Sequence, residues 1–195
     1  MKSRGVKQIL GAVVDVETTG FSPIRDEIIE LCIILFSIDE SGSHVIEDEY
    51  VGLREPSCGI HPAAQRVNGI SPADVRGKEL DDTRVSGIIE RADFIIAHNA
   101  PFDRSFITRL FPAAGRKQWY CSMAGIDWRG KGYPNRRLQD LLLFHGIMPA
   151  RAHRASDDVR ATLDLLSYRQ TCGTTYLFEL LAGLLNSSSK NGLIG

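Results

Sequence analysis

The sequence predicts an α/β fold built on a mixed sheet. Two observations carry that expectation. Three strand-like runs open the chain with short turns between them, and the remainder alternates helical segments with short apolar strands.

The first run, ILGAVVDVE at 9–17, is apolar and β-branched. EIIELCIILFSI at 27–38 is longer and of the same character, and HVIEDEYVGL at 44–53 alternates and ends before Pro56. SPIRD and DESGS supply turn chemistry between them, so the three read as an antiparallel meander. Short helices follow in HPAAQRV, SPADV and DDTRVSGIIERA, with Pro62 and Pro72 at first helical positions behind His61 and Ser71. FIIAH at 94–98 reads as a buried strand, and Asn99 is expected to cap a helix through FDRSFITRLF. QWYCSM at 118–123 reads as a short strand. RRLQDLLLFHGI has helical periodicity and stops at Gly146. After a loop at 147–155, Ser156 is expected to cap DDVRATLDLLSYRQ. TYLFELLAGLL, amphipathic, precedes a polar tail, NSSSKNGLIG, that has the composition of disorder. The expected organisation is an N-terminal arm at 1–8, one domain at 9–173, and a C-terminal helix with its tail at 174–195.

The composition, 43% hydrophobic and 24% charged over 195 residues, suits one soluble domain with a sizeable core. No apolar run approaches the roughly 20 residues of a membrane helix, and MKSRGVKQIL lacks a cleavage site, so a cytoplasmic protein without a membrane partner is expected. Cys32, Cys58, Cys121 and Cys172 are widely spaced, which argues against a zinc ribbon or a disulfide framework. Charge is uneven. Residues 116–154 hold eight basic residues against Asp127 and Asp140, a net +6 that leaves −7 on the rest of the chain. A basic face on an acidic body fits a polyanion beside a cation site.

Three acidic motifs stand out. In VVDVETTGF, at 13–21, Asp15 and Glu17 share one side of a strand that is otherwise apolar, and burying unpaired carboxylates is unfavourable unless a partner or a metal compensates. Asp103, in HNAPFD, and Asp158, in HRASDD, both fall in the first turn of a helix. An acid there commonly complements the helix dipole. His153 precedes Asp158 by five residues on a loop. Together these are the ingredients of a two-metal phosphoryl-transfer site. Oxygen ligands suit Mg²⁺ or Mn²⁺, and an imidazole can take a proton from an attacking water.

The three motifs, in this order, resemble those of the DnaQ-like DEDDh 3′–5′ exonucleases, a family that includes the proofreading epsilon subunit of bacterial DNA polymerase III. DEIIEL after the first motif, VNGIS at 67–71 and CSM at 121–123 match further landmarks, and the resemblance covers residues 9–170. It implies a ribonuclease-H-like fold, five strands with helices on both sides, and makes 9–173 an exonuclease domain. It also implies two divalent ions, with Asp15 bridging them, Glu17 and Asp158 on the first and Asp103 serving the second. His153 would be the general base. The tyrosine subgroup has a Tyr four residues before the last Asp; Arg154 stands there, which places the chain in the histidine subgroup. Thr18, Thr19, Gly20 and Phe21 would line the terminal-nucleotide pocket, with Asn99 and Phe102 nearby. Asn68 replaces a frequent histidine of the family. The implied partner is nucleic acid with a free 3′ end. ETTG favours DNA over RNA, and a DNA polymerase subunit is a further partner the resemblance allows. The alternatives are an exoribonuclease, or a non-catalytic module that binds nucleic acid or a polymerase.

Overall fold

The computed structural model describes residues 9–39, 42–148 and 153–191. The expected arm at 1–8 therefore lies outside the described residues, as do Arg151 and residues 192–195.

Five strands form one sheet in the order β3-β2-β1-β4-β5. They are β1 (Ile9–Thr18), β2 (Ile28–Ile38), β3 (His44–Leu53), β4 (Phe94–Ala97) and β5 (Gln118–Cys121). β1, β2 and β3 pair antiparallel, whereas β4 pairs parallel to β1 and β5 parallel to β4. The mixed sheet arises because short turns can join antiparallel neighbours only, while parallel neighbours require helical crossovers. All eleven residues of β2 are buried, as its unbroken apolar run requires of a strand covered on both faces.

The helices are α1 (Pro62–Asn68), α2 (Pro72–Val75), α3 (Asp82–Arg91), α4 (Ala100–Leu110), α5 (Ser122–Gly125), α6 (Leu138–Phe144), α7 (Ala155–Ser167) and α8 (Tyr176–Asn191). α5 and a 3₁₀ turn at Pro112–Arg116 were not legible in the sequence, since four- and five-residue helices carry too little periodicity. α7 starts at Ala155, with Arg154 rather than Ser156 at the cap position. α8 runs on to Asn191, into the polar segment expected to be unstructured.

Each sheet face has its own core. On one face Ala12, Val14 and Val16 pack with Val85, Ile88 and Ile89 of α3 and with Phe106 and Ile107 of α4. On the other, Val13, Cys32, Ile34 and Phe36 pack with Val159, Leu163 and Leu166 of α7 and with Leu177 and Leu181 of α8. Asp15 and Glu17 lie on this second face, beyond Val13 toward the strand's C-terminal end. No helix among the described residues is long and apolar enough to cross a membrane.

Candidate active site

The chain runs from β1 into β2 and β3 on one side, then into β4 and β5 on the other, so the β1–β4 pair is where the strand order reverses. Crevices at the C-terminal ends of strands at such a point bind ligands in open α/β sheets. Here the parallel ladder between β1 and β4 ends at Val13↔Ile96. The next part of β1 therefore needs other partners on that side, and the N–H of Val16 donates to the Asp103 carboxylate at 3.2 Å. Asp103, in the first turn of α4, is 2% exposed. This contact draws the second motif onto the first.

The third motif closes the site. Asp15, Glu17 and Asp158 each bring a carboxylate oxygen within 4.8 Å of the others. Asp158 comes from the first turn of α7, where Gln139 of α6 donates to Oδ1 at 2.9 Å and the His153 N–H donates to Oδ2 at 3.2 Å. His153 has φ 61°, in the left-handed region, and its side chain is exposed.

Clustering raises the cost of ionisation. Burial first, then the charges of Asp103, Glu17, Asp158 and Glu30, hold Asp15 well above the usual carboxylate range. Burial and the Asp158 charge push Glu17 up to about 8, against a hydrogen bond from the Asn68 amide. Asp103 rises to about 7 through burial. Burial also raises Asp158, opposed by the Gln139 hydrogen bond and by His153. A cation removes the repulsion that drives part of these shifts, so this is an oxygen-only donor set that matches hard divalent ions.

The loop after β1 is braced from within. Asp26 accepts from the Ser22 N–H at 2.7 Å and from the Thr19 hydroxyl at 3.2 Å. The Thr18 hydroxyl donates to the Gly20 carbonyl at 2.6 Å. A side chain at position 20 would put its Cβ 2.6 Å from the Asp26 carboxylate, hence glycine. Thr19 is wholly buried, its N–H donates to Glu27, and its hydroxyl is engaged on the protein side. The hydroxyls of Thr18 and Thr19, two of the residues expected to line a nucleotide pocket, hold the loop. Phe21 differs. It is 80% exposed and meets Phe102 edge-on at 6.5 Å, and Phe102 in turn tilts on Phe106 at 5.0 Å. Asn99 occupies the cap position of α4 without a side-chain capping bond and is exposed, contrary to its expected capping role.

Two contributors, Gln139 and Glu30, escaped the sequence reading, and a third, Asn68, was expected only as the replacement of a frequent histidine. Asn68 is buried, accepts from the Ile70 N–H at 3.0 Å and also reaches Glu17, so the residue in the frequent histidine's place does touch the site. Gln139 carried no signal, because its role depends on α6 meeting α7. Glu30 did carry one, an acid inside the apolar run EIIELCIILF. It is 1% exposed and paired with Arg154.

The basic stretch at 116–154 divides in the fold. Lys117 donates to the Glu90 and Ala92 carbonyls beside the N-terminal start of β5, at the opposite end of the sheet from the acids. Lys131 bridges to Glu179 at 2.8 Å. Arg136 and Arg137 are exposed, just ahead of the helix that carries Gln139. The stretch is therefore not one face.

An exonuclease family model matches residues 12–166. The DNA polymerase III subunit epsilon of Treponema pallidum is 30% identical over 161 residues, covering 78% of this chain and 73% of that protein. The PolC-type DNA polymerase III of Thermotoga petrophila is 29% identical over 187 residues, 86% of this chain but only 13% of that protein's length. Ribonuclease T of Wigglesworthia glossinidia brevipalpis is 33% identical over 109 residues, 49% of this chain and 51% of its own. Among solved structures, E. coli exonuclease I in complex with a dT13 oligonucleotide superposes with a TM-score of 0.68 at 20% identity, over 92% of this chain and 43% of that one. At that identity the likeness speaks for the fold alone, the mixed five-stranded sheet flanked by helices.

Proposed function

Because the chain belongs to the exonuclease family, we propose that it is a metal-dependent 3′–5′ exonuclease of the DEDDh type that acts on DNA ends. The observation that carries this reading is the convergence of Asp15, Glu17 and Asp158 within 4.8 Å, with Asp103 behind them on Val16. The donor set fits two divalent cations, Mg²⁺ or Mn²⁺. Asp15 would serve both, Glu17 and Asp158 one, and Asp103 the other. Such a pair stabilises charge on the attacking and leaving oxygens of an in-line displacement.

The chain's own groups do the rest. The His153 imidazole accepts a proton from the attacking water. The water oxygen bonds to phosphorus, the bond from phosphorus to the 3′ oxygen breaks, that oxygen takes up a proton, and a nucleoside 5′-monophosphate leaves. Phe21 and Phe102 offer aromatic surface to the terminal base, where stacking contributes about 1–3 kcal/mol per base. Asn99, one turn ahead of Phe102, has a side chain uncommitted to its helix and free to meet the nucleotide. Arg136 and Arg137, exposed just ahead of α6, would meet phosphates further along the strand.

DNA is supported by the polymerase names of the relatives. The epsilon relative also makes a DNA polymerase subunit a candidate partner. The ribonuclease T relative supports a second reading, RNA ends as substrate. The deciding experiment incubates the purified chain and Mg²⁺ with single-stranded DNA, mismatched duplex DNA and short RNA, each labelled at the 5′ end. DNA shortened from its 3′ end ahead of RNA is the expected result. Faster shortening of RNA transfers the proposal to the second reading, and no shortening of any substrate removes both.

A further inference from the structure

Glu30 has no part in the chemistry just described, yet it sits beside it. In the register of β1 and β2 it lies directly opposite Glu17. Cross-strand partners share a face, and like charges there oppose folding. Every oxygen of Glu30 is nevertheless engaged. Arg154 Nε donates to Oε1 at 3.2 Å and to Oε2 at 3.0 Å, and Arg154 Nη2 donates to Oε1 at 2.5 Å. The Ala155 N–H donates to Oε2 at 2.9 Å. A planar guanidinium forked onto a carboxylate fixes orientation as well as distance. Ala155 is the first residue of α7, whose cap residue, Arg154, makes no side-chain capping bond. Glu30 supplies the missing acceptor, and an anion, to that helix N-terminus from another strand.

The consequence falls on the neighbouring residue. The peptide between 154 and 155 is held on both sides, by guanidinium and by N–H. His153 comes immediately before it in a left-handed conformation, which a residue with a Cβ keeps only where its surroundings impose it. Its N–H is taken by Asp158. We propose that Glu30 and Arg154 form a positioning pair for His153. By fixing the first peptide of α7, they set the direction in which the exposed imidazole leaves the chain relative to the acid cluster. Arg154 is thereby a structural cation and not part of the phosphate-binding surface. The inference rests on the reading of His153 as the proton acceptor.

A double-mutant cycle on the full chain tests it, with 5′-labelled single-stranded DNA at saturating Mg²⁺. Arg154→Lys keeps the charge but loses the fork. It should lower kcat about 10–100-fold, the range for groups that orient a reacting side chain, with KM unchanged. In a His153→Ala background the same substitution should have almost no effect, because coupled residues are non-additive. Glu30→Gln, which keeps an acceptor for the Ala155 N–H, should show the same coupling, and it carries the cycle if Arg154→Lys does not fold. Equal losses with and without His153, no loss in either background, or a change in melting temperature with kcat unaltered would each overturn the positioning role. Full activity of His153→Ala alone is a separate result: it removes the base, and the pair's proposed purpose with it.

Discussion

Glu17 and Glu30 face each other across two neighbouring strands, and the fold treats them in opposite ways. Glu30 is closed off by a guanidinium and a helix N-terminus. Glu17 receives one amide from Asn68 and otherwise faces acids, which with burial lift its pKa to about 8. A buried carboxylate that the protein satisfies itself has nothing to offer a ligand. One that the protein leaves among like charges still has oxygen lone pairs to offer. The difference separates the two acids more sharply than their strand context does, since each lies in a long strand beside an apolar neighbour.

The largest expected effect comes from the acid cluster. Asp15→Ala or Asp158→Ala should lower turnover at least about 10³-fold at saturating Mg²⁺, the upper end of what one electrostatic stabiliser contributes. Nucleotide release near the wild-type rate would take that residue out of the ligand set. His153→Ala should lose about 10²–10⁴ in rate, the contribution of a general base. Single-turnover rates unchanged between the two proteins would reject that role.

The contrast itself is measurable in stability. Arg154→Ala leaves the buried Glu30 carboxylate without its guanidinium and with the Ala155 N–H as its remaining donor, which should cost about 3–5 kcal/mol. Glu17→Gln removes repulsion and should be neutral or stabilising in chelator. Denaturant titration compares them, and equal losses would erase the distinction drawn here. Acidity gives a related test. Glu17 and Asp103 have folded-state pKa values raised to about 8 and about 7, above unfolded values near 4. The folded chain then holds more protons than the unfolded chain between about pH 4 and pH 8. Their contribution is present below that window and is lost as pH rises through it. In chelator the melting temperature should therefore fall from pH 5 to pH 8, by about 2–4 °C per kcal/mol lost. Mg²⁺ should reverse the fall by binding the native state alone. A melting temperature that rises over this range without metal would contradict the assigned electrostatics. The smallest effect concerns the surface. Arg136→Ala and Arg137→Ala should each reduce the salt slope of single-strand binding by about 0.7, and an unchanged slope would make these residues plain solvated surface.

The meander was readable because its signals are local. Each strand is a continuous or alternating apolar run, and each turn has its own residues, so the bounds of β3 come out at His44–Leu53 as expected. Helix starts were less readable. A cap depends on which group supplies the acceptor, and at α7 that group lies 125 residues away on β2. The basic stretch misled for a similar reason: net charge along the chain does not record which end of a sheet a lysine occupies, and Lys117 occupies the far one.

By itself, then, the sequence determined the order of the elements, the identity of the acids and the family, because periodicity and motif spacing are properties of short segments. Only the tertiary structure decided which carboxylates cluster with one another and which are neutralised internally. That depends on partners brought from α1, α6 and α7 to one end of β1, and no spacing along the chain encodes whether Asn68, Gln139 or Arg154 will be the residue that arrives.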